Sequence, residues 1–193
     1  MNEIIIASNN KGKIKEVGEI LNKYKIISMQ EAGIDIDVEE DQETFAGNAI
    51  KKAEEIAKVL SGKLCLADDS GIEIDYLDGF PGVYTKRWKA GSDRERNLEI
   101  IEKLKGVPKA KRKIKFITAI ALSDGKNTTC EIGIINGFVA EEVRGDNGFG
   151  FDEIFELENG KTLAELTEEE KNEISARKIA LEKIAIYLDN MKE

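Results

Sequence analysis

Apolar residues along this chain recur with two periods, and the switches between them mark the elements. Glu3 to Ala7 reads as a buried first strand, broken by the polar turn Ser8-Asn9-Asn10-Lys11-Gly12-Lys13. Ile14, Val17, Ile20, Leu21 and Tyr24 then fall at helical spacing. Ile26 to Met29 predicts a second strand, and the strongly acidic stretch Asp35 to Glu43 reads as a loop. Thr44 is placed to cap a second helix whose apolar face holds Phe45, Ala49, Ile50, Ala53, Ile56, Ala57 and Leu60, with Gly62 placed to end it.

Leu64 to Ala67 and Ile72 to Asp75 read as two strands flanking a turn at Asp68-Asp69-Ser70-Gly71. Gly79-Phe80-Pro81-Gly82 predicts a rigid loop. Ser92 and Glu95 form a capping box that opens a helix through about Leu104. Ile114, Phe116, Thr118, Ile120 and Leu122 alternate over a long strand, and Ser123-Asp124-Gly125-Lys126 turns the chain back into Thr128 to Ile135. Phe138 to Val143 reads as a further strand, followed by a glycine-rich loop through Asp152. A second capping box, Thr167 with Glu170, precedes a last helix over about Ser175 to Asn190. Interleaved strands and helices around a central hairpin predict an α/β fold on a mixed sheet flanked by helices.

Composition narrows the class. At 193 residues with 41% hydrophobic and 35% charged positions, the chain suits one sizeable domain, residues 1–193, with its own core. Two prolines and no Pro/Ser-rich stretch leave no domain boundary in view. The apolar runs are too short to span a bilayer, and the start of the chain lacks the pattern of a secretory signal, so no membrane partner is expected. A net charge of −9 argues against a nucleic-acid partner. Cys65 and Cys130, isolated and without Cys-x-x-Cys spacing, read as reduced thiols of a cytoplasmic protein.

Candidate chemistry gathers at a few places. With no histidine in the chain, hard-metal or general-base work falls on carboxylates. Adjacent acids such as Asp68 and Asp69 are costly unless water, a metal or hydrogen bonds meet them. They suit Mg²⁺ and the activation of a water, or simply an Asx-type turn. Glu39, Glu40 and Asp41 could add a second ligand, and Lys51 or Lys52 could reach a phosphate. The strand–turn–helix at Ser8–Lys13 suits an anion, although it lacks P-loop and Rossmann spacing. Asn147 to Asp152 joins glycines, two Phe rings and a carboxylate, a set suited to stacking on a flat heterocycle with Asp152 accepting an N–H. Lys171 and Arg177 flank the start of the last helix, where Arg could fork onto a phosphate or a base carbonyl.

These segments occur together in an order that resembles one family. They are Ala7 to Glu16, Thr44-Phe45 with Asn48-Ala49 and Lys52-Ala53, Ala67 to Gly71, and Gly79 to Tyr84. Gly148 to Asp152, Ala164 to Thr167 with Glu170-Lys171, and Ile174 to Arg177 complete the series. The chain resembles, over nearly its whole length, the inosine/xanthosine triphosphate pyrophosphatases, the Ham1/RdgB-type house-cleaning enzymes.

The resemblance implies a two-lobed α/β domain on a long twisted mixed sheet. It also implies a homodimer and Mg²⁺-dependent hydrolysis of ITP, dITP and XTP to the monophosphate and pyrophosphate. Carried across, Ser8, Asn9, Asn10, Lys11, Gly12, Lys13 and Lys52 would hold the phosphates. Asp69 would accept the proton and meet the metal with Glu40, and Ser70 would touch substrate. Phe149, Gly150, Phe151, Asp152, Lys171, Ala176 and Arg177 would surround base and sugar. The chain departs from the usual pattern at Ala176, where His is usual, and at Gly47, where Glu is frequent. It also carries Phe151 for the commoner Tyr, Glu153 for Pro and Ser8 for Thr. The rival readings are a Maf-type nucleotide pyrophosphatase and a catalytically weak nucleotide-binding protein.

Overall fold

A computed structural model of the protein describes residues 3–60, 62–85 and 87–191. Six strands and five α-helices follow one another as β1 (Glu3–Ile6), α1 (Lys11–Ile20), β2 (Lys25–Ser28), α2 (Phe45–Ala57), β3 (Leu64–Ile74) and α3 (Asp93–Lys103). Then come β4 (Lys113–Ser123), β5 (Thr128–Val139), β6 (Phe155–Glu156), α4 (Glu168–Ile174) and α5 (Ala176–Asn190). The strands form one sheet in the order β2-β1-β3-β4-β5-β6. It is mixed: β1 pairs parallel with β2 and β3, and β5 pairs antiparallel with β6. No helix among the described residues is long and apolar enough to cross a membrane.

Contacts divide the chain into two compact units. The first holds Met1–Ser70, Thr118–Gly133 and Ala176–Glu193; the second holds Gly71–Ile117 and Ile134–Ser175. In the first, Ile4, Ile6 and Leu66 point from β1 and β3 into a core with Val17 of α1, Leu21 that caps its end, and Leu181, Ile184 and Leu188 of α5. Each such side chain contributes about 1.5–3 kcal/mol on burial. Side chains alternate across a strand, so Cys65, Ala67 and Asp69 of β3 face the other side of the sheet. In the second unit Ile72, Ile74, Ile100, Leu104, Ile114, Phe151, Ile154 and Phe155 build a separate core.

Three expectations change. The Asp68–Gly71 segment is not a turn between two strands: β3 runs unbroken through it. The two acids are tolerated inside the strand because each finds partners on its own face. Phe138 to Val143 is not a separate strand; β5 continues to Val139, where Val139 and Phe138 pair with Phe155 and Glu156 of the short β6. The polar turn after β1 stops at Asn10, and Lys11, Gly12 and Lys13 already form the first turn of α1. The capping boxes at Ser92 and Thr167 and the Thr44 cap stand as read.

Candidate active site

The first turn of α1 holds the residues expected to meet an anion. Asn10 caps it by accepting the Lys13 N–H at 3.2 Å, and Ser8 Oγ accepts the Asn10 N–H at 3.1 Å. The first amides of any helix lack an intrahelical acceptor. Helix N-termini favour acidic neighbours, yet this one has no acid in its first turn and carries Lys11 and Lys13. Free amides and positive charge together are a combination an anion could meet.

Asp68 lies on the α1/α5 face of β3 and is buried. Lys13 Nζ forms an ion pair with its Oδ1. Arg177 places Nε and Nη2 each 3.0 Å from Oδ2, and Ser70 Oγ donates to the same oxygen at 3.2 Å. Burial opposes ionisation, but the Lys13 and Arg177 charges outweigh it and hold the carboxyl well below the usual range. Asp68 is therefore a permanent anion. Arg177 gives its remaining Nη1 to Glu16 Oε2 at 2.5 Å. The fork that the sequence suggested for a phosphate or a base is occupied by two carboxylates, and neighbouring Ala176 is buried at the start of α5.

Asp69 faces α2 and has a different environment. Asn48 Nδ2 donates to its Oδ2 at 2.9 Å, and the Ser70 N–H reaches its Oδ1 at 3.0 Å. Burial, together with the nearby charges of Glu40 and Asp68, pushes its pKa up, against the pull of Asn48 and Lys52. Lys52 Nζ sits 2.5 Å from Glu40 Oε1 and 3.2 Å from the Asp68 carbonyl. The strand's period of two has sorted adjacent acids into two jobs: one neutralised by fixed cations, one short of positive charge.

In the second unit the loop at Asn147–Asp152 is tied by its own side chains. Asp152 is 2% exposed; its Oδ2 accepts the Phe149 N–H at 2.8 Å and meets Lys171 Nζ at 2.5 Å. Gly148 has φ +80°, and a Cβ there would lie 2.1 Å from Asp152 Oδ2, so only glycine fits. Phe149 is 51% exposed, with the Lys171 ammonium 4.5 Å from its ring centroid. Two corrections follow. Phe151 is 6% exposed and part of the core, so one ring and not two is open for stacking. Asp152 shapes its own loop, which the sequence did not indicate.

The sequence profile of the Ham1 family matches residues 4–187. The chain belongs to the Ham1 family. It is 45% identical over 203 residues to the dITP/XTP pyrophosphatase of Clostridium perfringens, covering 100% of this chain and 98% of that one. It is likewise 45% identical to the dITP/XTP pyrophosphatase of Bacillus subtilis, with 98% of each chain covered. Among solved structures, the Ham1 protein of Staphylococcus aureus superposes with a TM-score of 0.89 at 38% identity, covering 98% of this chain and 100% of that one. The choice between this family and the Maf-type rival falls to the first.

For this Ham1-family chain the carboxylates fit a hard divalent cation. Mg²⁺ is held by one or two carboxylates and completes its shell with water and phosphate oxygens. Glu40 and Asp69 would supply such a pair, Asp69 being the acid short of compensating charge. Among the described residues no group of three or more metal-binding side chains occurs.

Sequence reasoning assigned no role to Asn48, Glu16 or Thr118. Asn48 was visible as a polar residue between Phe45 and Ala49 on the apolar face of α2, a placement that demands partners. Glu16 partners Arg177 from 161 positions away in sequence, and Thr118 exchanges a hydroxyl contact of 3.1 Å with Ser70. No local pattern announces either.

Proposed function

We propose that the chain is a Mg²⁺-dependent enzyme that hydrolyses non-canonical purine nucleoside triphosphates, ITP, dITP and XTP, to the monophosphate and pyrophosphate. The relatives named dITP/XTP pyrophosphatase support the substrate class. The observation that carries the chemistry is the unequal pair Asp68 and Asp69 on opposite faces of one strand.

Ser8 to Lys13 and Lys52 hold the phosphates, with Ser70 beside them. Glu40 and Asp69 would hold Mg²⁺, which would supply neutralisation of the polyphosphate charge. Asp69 accepts a proton from the attacking water, whose addition at the α-phosphorus breaks the α–β bridge and releases pyrophosphate. Asp68 fixes the Lys13 ammonium and takes no proton. The exposed Phe149 ring and the Lys171 ammonium beside it receive the base, with Asp152 holding both in place; Arg177 acts through Asp68. A 6-oxo purine offers an acceptor at position six and a donor at N1; adenine offers the reverse, and a site matched to the first rejects the second. A homodimer rests on the family resemblance alone, and a cytoplasmic location on reading Cys65 and Cys130 as isolated reduced thiols.

Ala176, in place of the usual His, favours one second reading: a nucleotide-binding protein with weak turnover. A nucleotide panel with pyrophosphate and orthophosphate measured separately decides. Pyrophosphate from ITP and XTP, with ATP much slower, supports the enzyme; binding without turnover supports the alternative.

A further inference from the structure

The loop proposed to take the base is held from outside by α3. The Gly150 N–H donates to Asp93 Oδ2 at 3.0 Å. The Gly150 carbonyl accepts from Asn97 Nδ2 at 2.9 Å. Both polar groups of one residue are therefore taken by side chains one helical turn apart, on the same face of α3. Two further contacts follow: Arg94 Nη1 pairs with Glu153 Oε1 at 2.9 Å, and Asn97 Nδ2 also reaches Glu153 Oε2 at 3.3 Å.

This arrangement is more than helix capping. Ser92 already caps α3 with a complete box, so Asp93 is not needed for that purpose. Its Oδ1 pairs with Arg96 while Oδ2 turns to the loop. Asn97 has no exposed surface, and a buried amide is costly unless it is bonded. Its Oδ1 has no partner in the structure, so its hydrogen bonds are all donated to the 150–153 segment. Gly150 has φ +65° and no side chain to anchor it. It stands between Phe151, whose ring is fixed in the core, and Phe149, whose ring is exposed. Fixing the Gly150 peptide thus fixes where the Phe149 ring emerges beside Lys171.

We propose that Asp93 and Asn97 are positioning residues for base recognition, acting through Gly150 to present the Phe149 ring and the Lys171 ammonium together. The proposal rests on the reading that Phe149 and Lys171 receive the base. The side-chain bonds of Asp93 and Asn97 described above go to Gly150, Glu153 and Arg96, so their loss falls on affinity for base and sugar and spares the polyphosphate tail.

Calorimetry on the full chain with Mg²⁺ tests this with two probes: inosine monophosphate, which carries the base, and inorganic tripolyphosphate, which does not. Asp93→Ala and Asn97→Ala are expected to weaken inosine monophosphate about tenfold, the value of one lost hydrogen bond. They should raise KM for ITP with little change in kcat and leave tripolyphosphate binding within about twofold, well below that value. Asp93→Asn keeps an acceptor oxygen and is expected to restore affinity, which a purely electrostatic role for Asp93 would not allow. If Asn97→Ala does not fold, the half-exposed Asp93 and its Asn rescue carry the test. Unchanged inosine monophosphate binding in the alanine variants, or equal weakening of both probes, overturns the proposal. Phe149→Ala separates the two failures: if it weakens inosine monophosphate while the α3 variants do not, the positioning role alone is wrong. If it too has no effect, the base reading falls with it.

Discussion

The side-chain amide of Asn48 donates to Asp69 Oδ2 at 2.9 Å while its own oxygen accepts the Gln42 N–H at 2.9 Å. One buried group from α2 thus orients the proposed base and ties down the acidic loop beside Glu40.

Replacing Asn48 with Ala is expected to lower kcat/KM for ITP about 10–100-fold, the usual effect of removing a group that orients a metal-binding carboxylate. The apparent Mg²⁺ requirement should rise in the same variant. Steady-state kinetics over a Mg²⁺ series checks this; an unchanged Mg²⁺ dependence would remove Asn48 from the role.

Asp68 has the opposite character, and stability reports it. Asp68→Asn leaves Lys13 and Arg177 partly unpaired in a buried place and is expected to cost about 3–5 kcal/mol. Because the folded pKa is depressed, the contribution of Asp68 is fully present above about pH 4, where an unfolded Asp is ionised. It is lost as the pH falls below that value toward the folded pKa. Urea unfolding between pH 3 and 7 should therefore give a shallower acid slope for Asp68→Asn than for the wild type. Parallel slopes would mean that Asp68 is not held ionised in the folded chain.

Gly133 of β5 lies against the start of α5: a Cβ there would fall 1.9 Å from the Ala176 carbonyl oxygen and 2.9 Å from the Ala180 nitrogen. Gly133→Ala must push backbone from backbone and is expected to destabilise by at least about 1–3 kcal/mol. Because Arg177 follows Ala176 and pairs with Asp68, the partner of Lys13, KM for ITP should rise too. Thermal melting and KM for ITP check the pair of effects; a wild-type melting temperature would contradict the close approach.

Much of this was legible in the chain. Period placed α1, α2, α3 and α5, and the starts of α2 and α3 were sharp because Thr44 and Ser92 announce them by local chemistry. The acids of β3 misled: polar residues in an apolar run look like a strand end, and only partners distant in sequence, Lys13 and Arg177 for one and Asn48 for the other, make a continuous strand affordable. β6 has two residues and no period to read. Asp152 and Phe151 could not be separated from substrate-facing groups by sequence, since burial depends on the core around Phe155 and on Lys171. The resemblance named which residues matter, and the geometry divided their labour.

The most direct measurement is pyrophosphate release from ITP by wild type and Asp69→Asn, each with Mg²⁺ and after chelation. The account predicts metal-dependent pyrophosphate from the wild type and a loss of about 10²–10⁴-fold in the variant, with folding intact. Near-normal turnover by Asp69→Asn, or full activity of the wild type in excess chelator, would contradict it.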